Sequence, residues 1–88
     1  MSNFSGGSVY SMVQGIASGT LLVTEKTYKR LTTAELQQLA FELDRQIRLT
    51  RSDQPNLEDN QAVQLRHRTI QKLTAALMML RSHQQRRK

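Results

Sequence analysis

His67 and His83 are the side chains of this sequence best suited to proton transfer or metal binding, and they lie sixteen positions apart. A metal site on a helix needs ligands three or four positions apart, so that they share a face. Neither His has a Cys, His, Asp or Glu at that spacing. Asp53, Glu58 and Asp59 resemble a calcium loop only in their charge, because the Gly and the terminal Glu that such a loop requires are missing. No Gly-rich phosphate loop stands between a strand pattern and a helix pattern. No Ser, His and Asp form a nucleophile constellation. The pattern points away from an enzyme, and no cofactor or metal is expected.

What remains is ionic chemistry. The stretch from Asn60 to Lys88 contains Arg66, Arg68, Lys72, Arg81, Arg86, Arg87 and Lys88, and no Asp or Glu. The whole chain of 88 residues carries a net charge of +6. A basic balance of this kind favours nucleic acid, an anionic membrane or an acidic protein surface. The charge falls into three zones: none from Met1 to Thr24, mixed from Glu25 to Asp59, and purely basic thereafter.

Two helices must position these groups. Thr32-Thr33-Ala34-Glu35 reads as a capping box, with Leu31 and Leu36 at the staple positions on either side. The helix so started should run to about Arg51, with a stripe of Leu36, Leu39, Ala40, Leu43, Ile47 and Thr50. Phe41 and Leu49 project away from that stripe, next to Arg45 and Arg48, and suggest a second contact face. Pro55 breaks the pattern. Asn56 is the expected cap of a second helix from about Leu57 to His83 or slightly beyond, with Glu58 and Asp59 in its first turn.

On a helical wheel Ala62, Val63, Ile70, Leu73, Leu77 and Leu80 line one side of the second helix, with Arg66 inside the stripe. The Arg66 stem can lie along the seam with its head turned outward, or face an acidic partner. The opposite side carries Arg68, Lys72, Met79, His83 and Arg86.

The first thirty residues read as a flexible, uncharged arm followed by a basic connector. Val9, Met12, Val13 and Ile16 would share one face of a short helix, but Gly15 and Gly19 weaken it by about 1 kcal/mol each. Ser11, Gln14, Ser18 and Thr20 interrupt the stretch too often for a membrane span, and no positive segment precedes an apolar core as in a signal peptide. Lys26, Lys29 and Arg30 surround Tyr28, a combination that can hold a phosphate and a base but is more commonly a solvated linker.

The expected fold class is therefore all-α. Residues 31–84 form an antiparallel, coiled-coil-like helical hairpin, 1–30 the arm and connector, and 85–88 a basic tail. Helices of roughly 28 and 40 Å present one seam to each other and leave the outer half of each stripe wet. Chains this small rarely build enough core without disulfides, metal or oligomerisation, and there is no Cys. Another chain, identical or different, is therefore expected to complete the core. The residues expected to bind it are Leu36, Leu39, Phe41, Leu43, Ile47, Val63, Arg66, Ile70, Leu73, Leu77 and Leu80. Arg68, Lys72, Arg81, Arg86 and Arg87 are those expected to meet nucleic acid or an acidic partner. The function expected is a non-enzymatic interaction module: a small subunit or adaptor, inside the cell in cytoplasm or nucleus, and not at a membrane. The alternative is a small basic nucleic-acid binder of low sequence specificity.

Overall fold

The structure is a computed structural model that describes residues 7–52 and 58–86. Over these residues the chain is all-helical, with four helices packed together: α1 Val9–Ser18, α2 Glu25–Lys29, α3 Thr33–Ser52 and α4 Asn60–Arg86. The most extensive contact is between α3 and α4; α1 lies against both, and α2 against α4.

Each helix begins for a local reason. At α3 the capping box is complete: Thr32 Oγ1 accepts from the Glu35 amide at 3.1 Å, and Glu35 Oε1 accepts from the Thr32 amide at 2.9 Å. Leu31 and Leu36 are both buried. At α4 the expected cap, Asn56, lies outside the described residues. Asp59 caps the helix instead, its Oδ1 accepting from the Ala62 amide at 3.1 Å. The helix therefore opens at Asn60 rather than near Leu57, and Glu58 and Asp59 precede its first turn rather than fill it. At its far end α4 continues through Arg86, so the basic tail expected from residue 85 starts inside the helix.

The N-terminal residues differ from the flexible arm read from the sequence. Ser8 Oγ accepts from the Ser11 amide at 3.1 Å and starts α1. Gly19, left-handed at φ 83°, ends it, its amide donating to the Ile16 carbonyl at 3.2 Å. The two glycines that weaken the helix locally are what let it dock. A Cβ on Gly15 would stand 3.1 Å from Leu21 Cβ, where the chain turns back and the Leu21 amide donates to the Gly15 carbonyl at 3.0 Å. The bare α-carbon leaves room for that return.

α1 brings Met12, Val13 and Ile16 into the core, where they join Tyr28, Leu31, Leu36, Leu39, Leu43, Ile47, Leu73, Ala76, Leu77 and Leu80. Burying a side chain such as Met12 or Ile16 is worth roughly 1.5–3 kcal/mol. The cover expected from another chain comes, over these positions, from the chain's own first thirty residues.

Replacing Met12 by Ala should lower the unfolding free energy by about 2–5 kcal/mol, because the side chain is fully buried on a helix that packs against α3 and α4. A denaturation midpoint unchanged by Met12→Ala would mean that α1 is not part of the cooperative unit. Gly19→Ala should cost about 1–2 kcal/mol in the same assay, since an L side chain is strained at that φ.

Candidate interaction surface

The apolar residues expected to bind a partner fall into two groups. Leu36, Leu39, Leu43, Ile47, Leu73, Leu77 and Leu80 are buried within the chain itself. Val63 and Ile70 are half-buried, and Phe41 is 67% exposed. Among the described residues the remaining exposed large apolar side chains are Tyr10, Leu22, Leu49, Leu65, Met78 and Met79. Of these, Leu22, Leu65 and Met78 carried no signal in the sequence beyond being apolar. Leu65 and Met78 sit on the polar side of the α4 wheel, and Leu22 lies in the stretch that reads as a flexible arm.

Arg66 settles into a structural role. Its Nε donates to the Thr50 carbonyl at 3.0 Å and its Nη2 to the Arg51 carbonyl at 2.6 Å. Carbonyls in the last turn of a helix lack intrahelical partners and carry the negative end of the dipole. One guanidinium serves two of them on α3 from a residue near the start of α4. The head group therefore points at its own chain, not toward an acidic partner.

The basic residues of α4 also divide. Arg86 Nη2 pairs with Glu25 Oε1 at 2.6 Å. His83, placed by the wheel on the outer polar side, is buried; its ring lies 6.1 Å from that of Tyr28, tilted by 41°. α2 covers that edge of α4, which a wheel of α4 alone cannot register. Arg68, Lys72 and Arg81 are exposed, and Arg87 lies outside the described residues. Lys72 Nζ rests over the α-carbon of Gly19, at the C-terminal end of α1, where a cation complements the dipole. On α3, Arg45 pairs with Glu42 through two contacts of 2.9 and 3.1 Å, and Arg48 with Asp44 at 3.3 Å.

Tyr28 is not the stacking platform that its basic neighbours suggested. Its side chain is fully buried, and its hydroxyl donates to the Ala76 carbonyl at 2.7 Å. Loss of solvent raises its pKa from 10.0 to about 12.

Two surface recesses are formed by the exposed apolar residues. One, of about 440 Å³, lies between the end of α3 and the start of α4 and is lined by Gln46, Leu49, Thr50, Ala62, Leu65, Arg66 and Thr69. The other, of about 270 Å³, lies beside Leu22 and Met79 where the chain after α1 passes over α4. Val9 and Phe41 share the rim of a third, of about 590 Å³. Among the described residues no three His, Cys, Asp or Glu side chains converge on a point that could hold a metal ion. No helix of the described residues is long and apolar enough to cross a membrane. Comparison with family models, with curated proteins and with solved structures gives no match.

Arg66→Ala should cost about 1 kcal/mol, the value of a partly solvated charged hydrogen-bond pair. It should also speed amide exchange in the last turn of α3 while leaving exchange in α1 unchanged. Loss of protection across all four helices would give Arg66 a global role instead. For Tyr28 the sign follows from its raised pKa. Below pH 10 the phenol is neutral in both folded and unfolded chains, and its contribution is present in full. Above pH 10 the unfolded chain releases its proton first, so stability falls as pH rises toward about 12. The stability difference between the wild-type chain and Tyr28→Phe, measured by urea denaturation at fixed pH, should shrink across that interval.

Proposed function

We propose that this chain is a non-enzymatic helical interaction module, a small subunit or adaptor that acts inside the cell by binding another protein. In this reading α3 and α4 are the arms of an antiparallel hairpin, and α1 fills only part of the groove between them. α1 has 10 residues and spans about 15 Å, against about 30 Å for α3 and about 40 Å for α4. Beyond its reach lies the recess edged by Leu49, 48% exposed, and Leu65, 65% exposed. That uncovered length of seam is the observation that carries the reading. A partner's helix laid there would continue what α1 begins. Phe41, on the side of α3 next to Val9, offers a second apolar contact.

Nucleic-acid binding is the second reading, supported by the exposed and acid-free run of Arg68, Lys72 and Arg81 on α4. Three neutralised phosphates on a single strand would give a slope of about −2 in log affinity against log salt. Arg81 lies well round the helix from Arg68 and Lys72, so one strand does not reach all three along a straight track. That spread favours the protein reading.

A photo-crosslinking residue at position 65 should form adducts with protein in cells of the source organism, and Leu49→Asp in the same chain should abolish them. Adducts with nucleic acid alone, or protein adducts indifferent to Leu49→Asp, would defeat the reading. A gel shift with single-stranded RNA that survives in 0.5 M salt would point the same way.

A further inference from the structure

We propose that the recess between Leu22 and Met79 is an anchor site for an acidic amphipathic helix of a partner protein. The proposal rests on the protein-binding reading above and assigns it a chemistry and a place. The recess is about 270 Å³, below the roughly 300–1,000 Å³ typical of small-molecule pockets. It suits a single large side chain. Its floor is aliphatic, from Ile16, Leu21, Val23 and Ala76. Leu22 stands at its edge 84% exposed and Met79 39% exposed. An exposed leucine beside a flexible methionine is a surface that gains by being covered and can adapt to what covers it.

Charge identifies the occupant. Lys72 is the one charged residue of the lining. Arg68 is exposed one turn away on the same side of α4, and α4 contains no Asp or Glu over its whole length. The acid nearest in sequence, Glu25, is already bonded to Arg86 at 2.6 Å. Among the described residues neither Lys72 nor Arg68 has a carboxylate at ion-pair distance. A carboxylate brought in by the partner meets two cations that lack one.

The form of the occupant follows from the frame. The recess is bounded by α1, α4 and the segment that follows α1, and the described residues contain no strand whose edge an extended peptide could join. Recognition by a helix laid against a groove is the mode left. Lys72 and Met79 are two turns apart, about 10 Å along α4. The partner therefore needs a large apolar residue with Asp or Glu one to two turns away. The lining has no aromatic ring on which a base could stack, which argues against nucleic acid as its occupant.

The test is a display selection of random-sequence helical peptides against the intact chain. Enriched peptides are then titrated into the isotope-labelled protein, with a single-stranded RNA 15-mer as a second probe. Peptides carrying leucine or phenylalanine three to seven positions from an acid should enrich and shift the Leu22, Lys72 and Met79 resonances. Leu22→Asp should weaken them by about tenfold or more, and Lys72→Glu by several-fold. A peptide with its acids changed to lysine should regain affinity for Lys72→Glu. Both positions are exposed, so each variant should keep the wild-type circular dichroism; Lys72→Glu also places a negative charge at the C-terminal end of α1 and should slightly lower the melting temperature. Peptides that enrich but map to Phe41 or to the Leu49–Leu65 groove overturn the proposal and leave the protein-binding reading standing. So do peptides indifferent to Leu22→Asp and Lys72→Glu. Failure of any peptide to enrich, with or without RNA binding at Lys72 and Arg68, overturns both.

Discussion

The fold depends on one constraint: two amphipathic helices cannot dry each other's apolar stripes. α3 and α4 touch along a single seam, and each keeps a flank that water would wet. In a chain with no Cys there is no covalent staple to compensate. The solution is a third layer from the same chain. Met12, Val13 and Ile16 of α1 and Tyr28 of α2 close over the seam, and the Tyr28 hydroxyl finds its acceptor on α4 at Ala76. That bond matters because a buried phenol without a partner would offset much of what its ring contributes. The third layer is short, and its shortness leaves a recess uncovered between the end of α3 and the start of α4.

Charge is distributed around the same layers. α1 is uncharged, which allows it to sink between two helices without desolvating an ion. Arg66 is committed to the end of α3, Arg86 to Glu25, and Arg45 and Arg48 to neighbours on their own helix. Each of these ion pairs is neutral in itself, so the net charge of +6 resides on the other ionised groups. The cations left exposed along α4 are few and dispersed, and Lys72 stands out because it borders an apolar recess.

Much of this was legible in the sequence, and what was not has a common physical cause. The α3 capping box and the stripes of α3 and α4 are signals within one helix, and they appear where their spacing puts them. The seating of α1 was hidden because Gly15 and Gly19 are penalties in local propensity, whereas their benefit arises from contacts with Leu21 and Lys72. His83 was misplaced for the same reason: a wheel of α4 knows nothing of Tyr28. Arg66 was found as an anomaly in the stripe, but its partners are carbonyl oxygens, which every residue carries and no side-chain pattern reveals. Asn56 and Asp59 are both sound caps, and only the register of the folded helix distinguishes them. The recess at Leu22 was invisible because it is built from α1, the segment after it and a helix about fifty residues further on.

The two bonds of Arg66 have a consequence for engineering. They clip residues 50 and 51 to residue 66, so the ends of the intervening connection are held by the helices rather than by the connection itself. Lengthening a closed loop costs little, about 0.6 kcal/mol for each doubling. This makes the stretch between Ser52 and Glu58 the natural point for inserting a tag or a reporter domain. Arg66 would act there as a clasp, preserving the register of the two long helices while the chain between them is rewritten.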